Sequence, residues 1–296
     1  MADQYKQRWG GTQPGALIFL LDQSGSMSDK FALAQAGAGR RKCDLVATIL
    51  NGFLNELVVI NTIANADGAT VVRPRADIAV LGYEGNTIAS TLDVPALKNK
   101  DFVTLPELQV NPLDIENRKR KEIDDTGQEM EILVPFPIWV RAKAGGGTPM
   151  FAALQRAATL AANWATSHQD NYPPVIVNVT DGMANDGDPV RAAQAIAKIT
   201  TTDGAALLYN VHVTDINSQP VYYPSSESEL PNDTYAKQLF AMSSIIPENS
   251  RPQLEQTLKR PVPVGARGMI FNGDAASIRD MFVFASAAAT ALDPNK

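Results

Sequence analysis

The sequence predicts an α/β fold with a mostly parallel sheet, and three observations predict it. An unbroken apolar run, Ala16-Leu17-Ile18-Phe19-Leu20-Leu21, stops abruptly at Asp22. It has strand length, is apolar on both faces, and reads as a central strand covered on both sides. Further apolar runs at 175–180 and 205–213 have the same character. Between these strands lie segments whose apolar residues recur every three or four positions, the period of amphipathic helices.

Taken in order, residues 1–14 form a polar N-terminal arm, the first strand follows, and 28–39 is a linker rich in Ala and Gly. Leu45, Ile49, Phe53 and Leu57 recur every four residues and predict a long helix over 40–60. Residues 77–83 read as the second strand. The stretch 84–140 is a β-rich elaboration, with β-favourable residues at 101–108 and 117–140. Asp124-Asp125-Thr126-Gly127 is a hairpin turn signal, and Arg118-Lys119-Arg120-Lys121 on one arm faces Glu129 and Glu131 on the other. The expectation is a hairpin extending the sheet edge.

Met150, Leu154, Ala157, Ala161 and Trp164 form the stripe of a helix for which Thr148 is the expected N-cap and Pro149 the first residue. Residues 175–180 are the third parallel strand. Asp188-Pro189 repeats the cap-then-proline device for a helix carrying Val190, Ala193, Ile196 and Ile199. The strand over 205–213 puts His212 in the core, and His168 ends a helix, where a cation suits the dipole. A polar loop over 215–232, a helix over 235–246, a Pro-interrupted connection over 254–264 and a short strand over 268–271 come next. Asp274 caps a last helix with Ile278, Met281, Phe282, Ala285 and Ala289 on one face.

The whole chain, 1–296, reads as a single domain. With 26 basic and 32 acidic residues its net charge is −6, which offers no footprint for nucleic acid and no polybasic membrane attachment. The single cysteine, Cys43, excludes an internal disulfide and a cysteine-based zinc site and reads as a small buried residue on a helix. The N-terminal residues lack the basic-then-apolar layout of a signal peptide, so a cytoplasmic, bacterial-style protein is expected.

Three hard oxygen donors, Asp22, Ser24 and Ser26, sit at alternate positions after the first strand, with Gly25 to let the chain turn. Such a loop suits Mg²⁺ or Mn²⁺, or alternatively hydrogen-bonds a turn or caps the next helix. The string Asp22-Gln23-Ser24-Gly25-Ser26-Met27 resembles the first motif of von Willebrand factor A (vWA) domains. Gly145-Gly146-Gly147-Thr148-Pro149-Met150 and Val179-Thr180-Asp181-Gly182 resemble that family's second and third metal motifs, in the family's order. The resemblance runs over roughly residues 15–292, apart from 84–140. It implies a Rossmann-like, doubly wound sheet with an antiparallel edge strand and a metal-ion-dependent adhesion site at Asp22, Ser24, Ser26, Thr148 and Asp181. It further implies that the Ser24, Ser26 and Thr148 hydroxyls contact the cation directly, while Asp22 and Asp181 act largely through water.

A cation held as the resemblance implies, mainly by hydroxyls, stays electrophilic, and a Glu or Asp of a protein partner can complete its coordination. The expected function is a Mg²⁺-dependent protein-binding adaptor. Within the family the layout resembles bacterial stand-alone proteins of the tellurite-resistance and stress-response type, which implies a kinase, phosphatase or AAA+ ATPase as partner. The alternatives are a metal-dependent hydrolase of phosphate esters and a structural subunit whose metal only stabilises the fold. Hydrolysis needs a base or water activator. The metal motifs contain no His, neither His168 nor His212 is expected near them, and Gly145-Gly146-Gly147 lacks the Lys of a phosphate-binding loop. No enzyme activity is expected.

Overall fold

An eight-residue strand, β1 (Gly15–Asp22), is buried along its whole length. The computed structural model describes residues 4–31, 38–65, 67–123, 128–214, 219–259 and 261–286. After β1 come α1 (Lys42–Ile60), a small hairpin of β2 (Thr62–Ala64) and β3 (Thr70–Val72), then β4 (Ala76–Glu84) and β5 (Thr87–Ser90). β6 (Val103–Thr104) leads into α2 (Leu105–Val110), which is followed by β7 (Asp114–Ile123), β8 (Glu129–Ile138) and α3 (Met150–Ser167). The chain continues through β9 (Val175–Thr180), α4 (Pro189–Ile196), the short pair β10 (Thr200–Thr201) and β11 (Gly204–Ala205), and β12 (Leu207–Val213). Last are β13 (Val221–Tyr222), α5 (Thr234–Met242), α6 (Arg251–Leu258), β14 (Met269–Gly273) and α7 (Ala275–Ala285).

The central sheet runs β13-β14-β12-β9-β1-β4-β5, with β6 also paired to β4. Its five inner strands are parallel, and β5, β6 and β13 are antiparallel additions at the edges. This is the mostly parallel sheet with antiparallel edge strands that the sequence led us to expect. Because side chains alternate across a strand, Leu17, Phe19 and Leu21 face α1 and α7, and Ile18 and Leu20 face α3, α4 and α5. Phe19, Phe53 and Phe282 meet with centroids 5.0–5.9 Å apart and lock α1 and α7 onto that face. From β1 the chain moves outward to β4 and then crosses back to β9, so the order reverses at β1. In open α/β sheets that reversal marks the crevice where ligands bind.

Several elements depart from the sequence-based expectation. The β7–β8 hairpin forms its own two-stranded sheet and does not extend the central one. The outer flank of β4 is already taken by β5 and β6, and Val134, Phe136 and Ile138 fall on one face of β8, which needs a surface to cover. Phe136 accordingly lies against Gly52 of α1. Buried Asn51 fastens the hairpin root, accepting from Trp139 N and Val140 N and donating to Val140 O. Lys119–Glu131 and Lys121–Glu129 make the expected cross-strand pairs, whereas Arg118 and Arg120 pair with Glu116 and Glu122 on their own strand. The expected turn at 124–127 lies outside the described residues, as do Ala289 and residues 215–218.

Residues 105–108 are helical because Thr104 and Glu107 form a capping box. Residues 251–258 form α6, where a connection was expected to begin at 254. The N-terminal arm is tied down, with Trp9 buried and Lys6 N and Gln7 N donating to the Asp203 carboxylate.

Phe282→Ala should cost about 3–5 kcal/mol in urea unfolding, as for other buried aromatic truncations. Replacing residues 118–134 by a two-glycine turn should cost no more than about 1 kcal/mol, because the root contacts of Phe136 and Trp139 remain. Equal losses would show that the distal hairpin belongs to the core.

Candidate metal centre

All five expected residues lie at the carboxyl ends of the central strands. β1 ends at Asp22, and the chain then turns through a 3₁₀ turn over Gly25–Ser28. The Asp22 carboxylate is buried; Oδ1 accepts from Ser24 N at 2.8 Å and Oδ2 from Thr180 Oγ1 at 2.8 Å. Ser24 Oγ lies 3.1 Å from Ser26 Oγ, and Ser26 Oγ donates to Asp181 Oδ1 at 2.7 Å. Four of the five therefore form one hydrogen-bonded cluster drawn from two neighbouring parallel strands.

Thr148 arrives on a third loop, laced to the first by backbone bonds. Gly145 N donates to Gln23 O at 2.7 Å, Gly25 N to Gly146 O at 3.0 Å, and Gly85 N to Gly147 O at 3.0 Å. Gly146 has φ +70°, and a Cβ there would meet Gly85 N at 2.9 Å, so the close approach requires glycine. A Cβ on Gly182, next to Asp181, would lie 3.9 Å from Thr148 Oγ1, which puts the Thr148 hydroxyl on the wall of the same cradle.

The expected cap role of Thr148 is not realised. α3 starts at Met150, Pro149 is its N-cap, and no cap side chain bonds the helix there. The Asp186 carboxylate caps α3 from another loop, accepting from Phe151 N at 3.0 Å and Ala152 N at 2.9 Å. Asp188 caps α4 as expected. Thr148 is held through its backbone instead: the Asn185 amide pairs with Thr148 N and O, both at 3.0 Å.

Further residues around the cradle had no signal in the motifs. Lys42, the first residue of α1, is 2% exposed, and its Nζ lies 2.7 Å from Asp181 Oδ2. Thr180 bonds Asp22 and accepts from Tyr235 Oη at 3.3 Å. His212 pairs with Thr180 across β12 and β9 and is close enough to feel the Asp181 and Lys42 charges. This corrects the expectation that neither histidine is near the motifs, which failed because β12 lies beside β9 in the sheet. Burial depresses His212 to about 4, and its ring stacks on Phe271 while Nδ1 accepts from Asn272 N at 3.2 Å. The imidazole is thus neutral, packed and already bonded. The other histidine, His168, stacks on Trp164 at the end of α3.

Burial is the main force on Asp22, raising it from 3.8 to about 6; the Asp181 charge acts in the same direction, while hydrogen bonds from Ser24 and Thr180 oppose it. Tyr83 and Tyr235 stay protonated, pushed far up by burial. The donors are all hard oxygens, three hydroxyls and two carboxylates, a set that fits a small divalent cation such as Mg²⁺ or Mn²⁺. The buried Asp181 Oδ2 has the Lys42 ammonium beside it yet accepts no hydrogen bond of ordinary geometry, so it keeps acceptor capacity. Among the described residues no three His, Cys, Asp or Glu side chains gather, and this cradle has only two acids.

No family model matches the chain, and no curated protein does. Among solved structures it is similar to manganese-loaded Plasmodium vivax TRAP protein, at 14% identity over 71% of this chain, with TM-score 0.34. It is also similar to the pilus adhesin RrgA of Streptococcus pneumoniae, at 13% identity over 60% of this chain, with TM-score 0.30. The matches span 60% and 21% of those two chains. Likeness this slight has no bearing on ligands or activity.

The raised Asp22 has a signed consequence. The folded protein favours the protonated form, so this stabilisation is present below about pH 4 and lost as pH rises through about 6. The cost at pH 8 is on the order of 3 kcal/mol without a cation. Metal-free Asp22→Asn should therefore lose less stability than wild type between pH 4 and pH 8, by roughly that amount in urea titrations. Parallel curves would show that Asp22 is not under strain.

Proposed function

We propose that this chain is a divalent-cation-dependent, protein-binding adaptor with a vWA-type metal-ion-dependent adhesion site. The observation that supports it best is the hydrogen-bonded cluster of Asp22, Ser24, Ser26 and Asp181, with Thr148 on its wall. Ser24, Ser26 and Thr148 would hold Mg²⁺, or Mn²⁺ in its stead, through their hydroxyls, and Asp22 and Asp181 would act through water. A cation held there would supply Lewis acidity toward an incoming carboxylate. Protein residues do the rest: Thr180 and Ser24 N orient Asp22, Ser26 orients Asp181, and Asn185 fixes the Thr148 backbone.

The partner is then a protein offering Glu or Asp. The resemblance to bacterial stress-response proteins makes a cytoplasmic kinase, phosphatase or AAA+ ATPase the class to look for. The adaptor reading is favoured over a hydrolase because the one imidazole beside the cradle is packed, and its Nδ1 is already an acceptor.

Affinity purification from the native host should recover a partner with Mg²⁺ and lose it both with EDTA and with Ser24→Ala plus Ser26→Ala. An identical partner set in all three arms would sink the adhesion-site reading. Phosphate-ester hydrolysis by the purified protein that Asp22→Ala abolishes would overturn the adaptor reading in favour of an enzyme.

A further inference from the structure

Lysine is almost never fully buried unless an anion accompanies it, because desolvating the ammonium costs several kcal/mol. Lys42 is among the largest fully buried side chains of the protein, and its ammonium meets Asp181, itself an expected cation-site residue. The position is built from both ends. Lys42 N donates to Asp29 O at 2.9 Å, which pins the start of α1 to the loop that carries Ser24 and Ser26. On the far side, Ser26 Oγ takes Asp181 Oδ1 and leaves Oδ2 facing the ammonium. Among the described residues, the nearby acids are engaged elsewhere: Asp186, Asp188 and Asp233 cap α3, α4 and α5, and Glu84 pairs with Lys143.

We infer that Lys42 sets the residual charge of the cation site and thereby makes it select an acidic ligand. This rests on the cation-site reading above. Among the described residues two carboxylates and one ammonium line the cradle, a single net negative charge. A divalent cation bound there would turn that count into a single net positive charge. The group that relieves it is an anion carrying one charge, such as the side chain of Glu or Asp. Without Lys42 the two carboxylates would neutralise the cation fully, and nothing would be left to draw a third. Lys42 therefore weakens the grip on the cation and strengthens the grip of the loaded site on a carboxylate. At these separations and an effective dielectric near 20, one charge changes either affinity by about tenfold or more.

A purely structural Lys42, tying α1 to the Asp181 loop, makes a different prediction. Removing it would loosen the cradle, and cation and carboxylate binding would fall together.

The test compares wild type, Lys42→Met, Lys42→Gln and Lys42→Arg, each shown folded by circular dichroism, at pH 8. Free Mn²⁺ is measured by electron paramagnetic resonance. N-acetylglutamate α-amide, which carries one carboxylate, is then titrated onto the Mn²⁺-loaded proteins and followed by water proton relaxation. Lys42→Gln keeps a donor toward Asp181 and serves if Lys42→Met does not fold. The inference expects the neutral variants to bind Mn²⁺ about tenfold or more tightly and the carboxylate about tenfold or more weakly, with Lys42→Arg like wild type. Mn²⁺ binding by wild type that is unchanged or weaker in the neutral variants overturns the inference and leaves the cation site standing. Binding by the neutral variants alone overturns it, because the Lys42 ammonium would then stand in place of a cation. No Mn²⁺ binding by any of the four overturns the cation-site reading, and this inference with it.

Discussion

Two carboxylates, Asp22 and Asp181, are held in one dry space at the ends of adjacent parallel strands. Like charges so placed repel, and each has lost its water, so everything around them answers that demand. Thr180 and the Ser24 amide serve Asp22, Ser26 serves Asp181, and the Lys42 ammonium closes the far side. Those bonds do not fully offset burial, which is why Asp22 sits at about 6. On the adaptor reading proposed above, a divalent cation would offset the remaining charge. The parallel sheet is what makes the arrangement possible: β1 and β9 run in register, so Leu21 pairs with Val179 and the next polar residues emerge together.

The rest of the molecule fixes those strand ends. The aromatic cluster of Phe19, Phe53 and Phe282 holds α1 and α7 on one face of the sheet, while α3 packs Leu154 and Ala157 on the other. Because α1 begins at Lys42, packing of that helix and position of the ammonium are one constraint. The cap of α3 by Asp186 and the Asn185 clamp on Thr148 play the same part for the third loop. The hairpin of β7 and β8 stands apart: it grips α1 through Asn51 and Phe136 but shares no ladder with the central sheet.

The legible part of the sequence was what is local. Apolar runs gave β1 and β9, the stripe from Met150 to Trp164 gave α3, and Asp188 and Asp274 announced their helices by cap chemistry. The three motifs picked out five residues that the fold brings to one cradle, because each motif carries its donors within a few residues. Long-range relations were hidden. Lys42 follows two arginines and carries no local mark of burial; only the fold, by bringing the start of α1 to Asp181, turns it inward. His212 was correctly read as buried, yet its nearness to Asp181 depends on the order of strands in the sheet. Thr148 admitted a cap role beside its place in the cation site, because Thr-Pro before an apolar stripe is the local signature of a cap; the side chain that caps α3, Asp186, lies 35 residues beyond Phe151. The hairpin misled in the same manner, since strand propensity does not tell a strand what to lie against.

The central claim is that the hydroxyls of Ser24, Ser26 and Thr148 face a single cation. Crystals soaked in Mn²⁺ and measured at its absorption edge test it most directly. The account predicts one anomalous peak within coordination distance of all three hydroxyl oxygens, with Lys42 still on Asp181. An empty map at that position, or a peak ligated by other residues while these hydroxyls keep their present bonds, would contradict it.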